Sequence, residues 1–131
     1  MFKNTKAFSS FSIRDKNTAK AFYGQTLGLS VKETPEGLEL HLAGGGLPVF
    51  LYVSEDYHPP EHTVLNFIVD DIDAAVKKLA AKGVKMEVYD LPGMKTGPDG
   101  IWRNDQQSVG PKAMAWFKDP DAHIIGVMQE K

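Results

Sequence analysis

The feature that most constrains this chain is that it is written twice. Residues 8–15 read FSSFSIRD and residues 64–71 read VLNFIVDD, an offset of 56 that sets Phe11 on Phe67, Ile13 on Val69 and Asp15 on Asp71. The register continues with Ala19 on Ala75 and Tyr23 on Leu79, and after a one-residue slip Gly28 falls on Gly83. A repeat of this length implies two copies of one supersecondary unit, each too small to build a substantial core alone. Each copy opens with alternation, the signature of a half-buried strand: Ser9, Phe11 and Ile13 on one face, Leu65, Phe67 and Val69 on its counterpart. An acidic residue then ends the strand and caps a helix, Asp15 or Asn17 in the first copy and Asp70 or Asp71 in the second. The first helix carries Ala19, Phe22, Tyr23 and Leu27 and stops at Gly28; the second carries Ile72, Ala75, Val76 and Leu79 and stops at Gly83.

Three strand-like runs follow each helix. In the first copy they lie at about 29–33, 37–42 and 48–54, with Gly44, Gly45 and Gly46 as a hairpin turn. In the second they lie at about 84–89, 112–118 and 123–129, the last two joined by KDPDAH. Both copies therefore read βαβββ, and together they predict one α+β domain over residues 1–131, with modules at about 5–56 and 62–131. The segment 89–111 is left as a long Gly- and Pro-rich loop, of a length that more often serves function than connection.

Composition sets outer bounds. Fifteen basic against seventeen acidic side chains leave no cationic excess for nucleic acid. No apolar run approaches the roughly 20 residues of a membrane span, and the first residues are too polar for a secretory leader. With no cysteine there is neither disulfide nor thiolate chemistry, so a soluble cytoplasmic protein is expected.

Three stretches carry a family resemblance: FSIRDKNTAKAFYGQTLGL at 11–29, VLNFIVDDIDAAVKKLAAKGV at 64–84 and AWFKDPDAHIIGVMQ at 115–129. In order and spacing they resemble the vicinal oxygen chelate superfamily of glyoxalase I, bleomycin-resistance proteins and extradiol dioxygenases. That resemblance implies two curved mixed sheets around a cavity, the glyoxalase-like fold. It also implies four metal-ligand positions, which counting from the matched motifs puts at Phe8, Val64, Gly126 and a residue within Pro48–Val53. None of these offers a carboxylate, imidazole or amide, so no metal and no other cofactor is expected. The histidines give no clear replacement: Pro59 and Pro60 break the helix that would align His58 with His62, and His41 and His123 read as strand and turn residues. The triple glycine lies between strands and lacks the helix and lysine of a phosphate cradle, and Ser108 lacks the surroundings of a nucleophile elbow.

Strand parity then sketches a ligand site. If Phe11 and Ile13 pack under the helix, Phe8, Ser10 and Ser12 face the hollow, as do Val64, Asn66 and Ile68, and Ile124, Gly126 and Met128. This floor, mostly apolar with a few fixed polar groups, suits an organic ligand. Trp102 is expected to stack on that ligand, Arg103 to pair with an anion or carboxylate, and Tyr52 to contribute by family analogy. The expected function is metal-independent binding of a small organic molecule by a homodimer, without nucleic acid or membrane partners. The alternative is a glyoxalase-like lyase, isomerase or dioxygenase, with no catalytic residue assigned beyond His41, Glu39 or Asp99 as candidate bases.

Overall fold

A computed structural model describes residues 1–44, 46–105 and 110–131, so Gly45 and Ser108 lie outside the described residues. The chain divides into two compact units, Met1–His58 and Pro59–Lys131. The break falls between His58 and Pro59, where the backbone forms neither helix nor strand.

In the first unit, β1 (Ser10–Ile13) leads through Asp15 into α1 (Lys16–Lys20). The Asp15 carboxylate accepts from the backbone N–H groups of Asn17 and Thr18 at 2.9 and 3.4 Å, satisfying donors that the helix start leaves open. Beyond Lys20 the helix widens into a π-helical turn, Ala21–Thr26, which the repeat pattern does not predict. Its backbone bonds skip one residue further, as from Leu27 N–H to Phe22 C=O at 2.9 Å. The widened turn seats Tyr23 in full burial, with the Phe22 ring edge-on at 5.2 Å and Phe11 at 6.3 Å. Gly28 then adopts φ +74°, the left-handed conformation that ends the helix at low steric cost. Three strands follow, β2 (Ser30–Thr34), β3 (Gly37–His41) and β4 (Val49–Val53), and the sheet order is β1-β4-β3-β2 with β1 and β4 parallel.

The second unit repeats the plan. The strand β5 (Thr63–Ile68) is followed by α2 (Ile72–Ala81), with Asp71 accepting from Ala74 N–H at 3.1 Å and Gly83 at φ +83° closing the helix. A two-stranded ribbon, β6 (Asp90–Leu91) and β7 (Met94–Lys95), precedes β8 (Ile101–Arg103), β9 (Ala113–Lys118) and β10 (Ile124–Gln129). The sheet order is β5-β10-β9-β8, again with the outer pair β5 and β10 parallel. Two sequence expectations are corrected here. The run 84–89 is no strand; its backbone meets the sheet through the single Met86–Phe117 bridge and a Glu87 N–H to Trp116 C=O bond of 2.8 Å. Its place beside β9 passes to β8, which lies inside the segment expected to be a plain loop. A Cβ at Gly100 would meet Met86 and the Glu87 carbonyl, so the chain returns to the sheet edge through a gap only glycine fits, at φ +84°.

One face of each sheet is packed against its helix. Phe11, Ile13, Leu38, Leu40 and Leu51 are buried in the first, and Ile101, Ala115, Phe117, Ile125 and Val127 in the second. By strand alternation the remaining side chains stand on the opposite, helix-free face.

Candidate functional site

Residues paired in register share a face, so the helix-free faces can be read row by row. On the first sheet one row runs Ser10, Phe50, Glu39, Lys32 and the next runs Ser12, Tyr52, Gly37, Thr34. Tyr52 is 42% exposed and stacks on Phe50, their rings 6.3 Å apart and tilted by 27°. A cleft of about 420 Å³ opens on this side, lined by Phe8, Glu39, Leu47, Pro48 and Phe50. Ser10 and Ser12 share this face, Tyr52, expected from family analogy, stands in register with Ser12, and Phe8, 61% exposed, lines the cleft.

On the second sheet, β5, β10, β9 and β8 contribute Ile68, Met128, Met114 and Trp102 in one unbroken row. The neighbouring row is Asn66, Gly126 and Trp116. Trp116 is buried, and Tyr89, itself half-buried, packs edge-on against it at 5.7 Å. That burial, ahead of the nearby Glu87 charge, raises the Tyr89 phenol above its ordinary value of 10.0. Val64 shares the face with Asn66 and Ile68 by alternation, next to the irregular step in the β5–β10 ladder. Trp102, expected on a loop, stands on β8, half-buried and in register with Met114.

Arg103 is separated from this group. It pairs in register with Ala113, which puts it on the helix side of β8, opposite Trp102. There its guanidinium donates to Asp73 on α2 at 2.8 Å and to Asp99 at 3.4 Å. The hydrogen bond from Arg103 holds the Asp73 carboxyl below its ordinary value, and the same bond raises Arg103. An arginine already shared by two carboxylates is a brace between β8 and α2 rather than a free anion receptor.

The metal-ligand positions implied by the family resemblance do not fit a divalent ion. Phe8 and Val64 supply no donor, and Pro48 through Val53 supply none either. At Gly126 even the space is taken: a Cβ there would collide with the Asn66 Oδ1 atom. Among the described residues no three of His, Cys, Asp or Glu stand together as a metal site. Of the candidate bases, His41 lies 3.1 Å from Glu39 on the first sheet, and Asp99 accepts from Ile101 N–H at 3.0 Å.

Sequence reasoning missed three features. Phe50 on the first sheet and Met114 on the second were within reach of the same parity rule applied from the hairpin turns. The third is a buried pair in the KDPDAH turn, where His123 Nδ1 donates to Asp119 Oδ2 at 2.7 Å with both side chains excluded from water. The other Asp119 oxygen accepts from the N–H groups of Asp121 and His123 at 2.9 and 2.8 Å. This turn residue is a core residue, and its only signal was a histidine four places after an aspartate.

Comparison with known proteins covers nearly the whole chain. The sequence model of the Glyoxalase/Bleomycin resistance protein/Dioxygenase superfamily matches residues 10–127. No curated protein matches. Among solved structures, TnmS3, an antibiotic binding protein from Streptomyces sp. CB03234, is 23% identical, with a TM-score of 0.65 over 98% of both chains. A glyoxalase/bleomycin resistance protein from the same Streptomyces strain is 25% identical, with a TM-score of 0.60 over 94% of this chain and 100% of that one. The fosfomycin resistance protein FosX of Listeria monocytogenes is 16% identical, with a TM-score of 0.67 over 95% of this chain and 92% of that one.

Proposed function

The chain belongs to the glyoxalase/bleomycin resistance protein/dioxygenase superfamily, and from that premise we propose that it holds a small organic molecule without a metal. The observation that carries this reading is the second sheet's helix-free face. Where a metalloenzyme of the resemblance would present a carboxylate, Gly126 presents none, and the Asn66 amide lies over it beside the Ile68–Met128–Met114–Trp102 row. Methionine and tryptophan adapt to planar and irregular ligands, and one amide fixes orientation by hydrogen bonding. The antibiotic binding protein and the fosfomycin resistance protein among its structural neighbours point to antibiotic-like compounds as the first class to try. A ligand of about 20 heavy atoms at roughly 0.3 kcal/mol each would bind near tens of micromolar.

The protein works as a homodimer in the cytoplasm on this reading. Support comes from the large apolar side chains exposed on the helix-free faces, Tyr52 and Ile68 among them. Among the described residues no helix is long and apolar enough to cross a membrane.

A thermal-shift screen of aromatic and antibiotic-like compounds, followed by tryptophan fluorescence titration, tests the binding. Hits should quench Trp102, and Trp102→Ala should weaken them by about tenfold, the cost of a lost aromatic stack. Metal analysis by plasma mass spectrometry should find far less than one transition metal per chain. Stoichiometric metal, or a hit that is chemically turned over, overturns the proposal.

A further inference from the structure

We infer that the first sheet's cleft is a subsite for an aromatic organic cation, with Glu39 pairing its charge and Phe50 and Phe8 facing its ring. This rests on the ligand-binding reading and names a class of ligand for it. The cleft lining of Phe8, Leu47, Pro48 and Phe50 is apolar, and the Glu39 carboxylate is its one charged group. That side chain is 29% exposed, drawn in among aromatic surfaces rather than standing free in water. A carboxylate so placed loses hydration, which an arriving cation offsets, while an anion gains nothing there. Aromatic faces act in the same sense, because their electron-rich centres attract cations and repel anions. The volume of about 420 Å³ lies in the range of small-molecule sites.

Two groups of the protein compete for Glu39. His41, from the same strand, meets it at 3.1 Å, and its side chain is 45% exposed, free to give way to a ligand. Lys32 stands opposite Glu39 on β2, yet among the described residues no ion pair joins the two. Among the described residues the strand β4 and the residue before it contribute Phe50 and Pro48 to the cleft, neither charged. Among the described residues a ligand cation therefore competes for Glu39 with His41 and Lys32 alone.

The test compares N-methylacridinium with acridine, one ring system with and without a fixed charge, by fluorescence titration of the full chain at mildly alkaline pH. The cation should bind about tenfold more tightly than the neutral ring, the preference expected of a partly desolvated charge pair with an aromatic face. Glu39→Gln should bring the two dyes to within about twofold by weakening only the cation, and Phe50→Ala should weaken both. Lys32→Gln, which removes the neighbouring positive charge, should tighten the cation alone. Equal binding of the two dyes to the native protein, or a preference that survives Glu39→Gln, overturns the cation subsite and leaves ligand binding intact. No binding of either dye overturns the subsite too. If the library screen is also empty, the ligand-binding reading falls with it.

Discussion

On the helix side of the first sheet lie Phe11, Ile13, Leu38, Leu40 and Leu51; on the helix side of the second lie Ala115, Phe117, Ile125 and Val127. These sets occupy matching strands and are interchangeable in kind. On the helix-free sides the same strands carry Ser10, Ser12, Glu39, Phe50 and Tyr52 in one unit, and Asn66, Ile68, Gly126, Met128, Met114 and Trp102 in the other. The first set, with Lys32 beside Glu39, is aromatic and charged; the second is methionine-rich. Burying one face against a helix leaves little choice beyond volume and apolarity, whereas the other face answers to whatever it meets. The turns that close the two sheets diverge as well. The first uses glycine, and a Cβ at Gly44 or Gly46 would meet nothing within 4 Å. The second uses the buried Asp119–His123 pair.

The largest effect should come from those turns. Asp119→Ala strands a buried imidazole and two backbone N–H groups, and should cost about 3–5 kcal/mol of stability in urea unfolding. Gly46→Ala, in the corresponding turn of the first sheet, should change stability by less than about 0.5 kcal/mol. Comparable losses from the two would erase the contrast between a packed turn and an open one.

A smaller effect is expected where Asn66 covers Gly126. Gly126→Ala forces the amide to swing aside and should cost about 1 kcal/mol, a typical penalty for overpacking a site whose neighbour can move. In an Asn66→Ala background the same change should instead stabilise by about 0.5 kcal/mol, because alanine loses less backbone entropy in a strand than glycine. A double-mutant cycle by chemical denaturation reads the sign reversal. Additive costs would mean that Asn66 does not occupy that space.

Smaller again is the brace between Arg103 and Asp73. Both groups are solvent-exposed, so the tie is read better from titration than from stability. The folded Asp73 carboxyl titrates below the ordinary 3.8, held down first by the hydrogen bond from Arg103. Its contribution is therefore present above pH 3.8 and lost as pH falls through the lower folded value. Carboxyl NMR titration should show the Asp73 transition moving upward in Arg103→Gln. An unmoved transition would return Arg103 to the pool of free cations.

How legible this was in the sequence follows the same division. The repeat located both helices and the strands of the first unit and narrowed each cap to two residues, of which Asp15 and Asp71 are the caps, because these features obey local rules of periodicity and capping. Parity placed Asn66, Gly126 and Met128 on one face of the second sheet, because alternation survives whatever the strands pack against. The failures have a different cause. The strand Ile101–Arg103 is only three residues long and embedded among glycines and a proline, too short for alternation to register. Its true face, and with it the separation of Trp102 from Arg103, depends on pairing with β9, a contact no local pattern encodes. The burial of His123 likewise depends on the Asp119 carboxylate reaching back across its own turn.

The smallest expected effect lies in that turn. Ala122 has φ +68°, the left-handed conformation in which a Cβ crowds the following carbonyl, at a cost of about 1–2 kcal/mol. The turn holds it there because Asp119 gathers the N–H groups of Asp121 and His123 on either side, and Ala122 N–H donates to Asp119 C=O at 3.0 Å. Glycine would remove the crowding but return about 0.5–1 kcal/mol of backbone entropy to the unfolded chain. The two nearly cancel, so Ala122→Gly should stabilise by about 0.5 kcal/mol, an increase in Tm of roughly 1–2 °C by calorimetry. Combined with Asp119→Ala the gain should vanish, since without the carboxylate the turn is free to relax out of the left-handed conformation. A gain that persists in the double variant would show that the backbone, rather than the Asp119–His123 pair, dictates the shape of this turn.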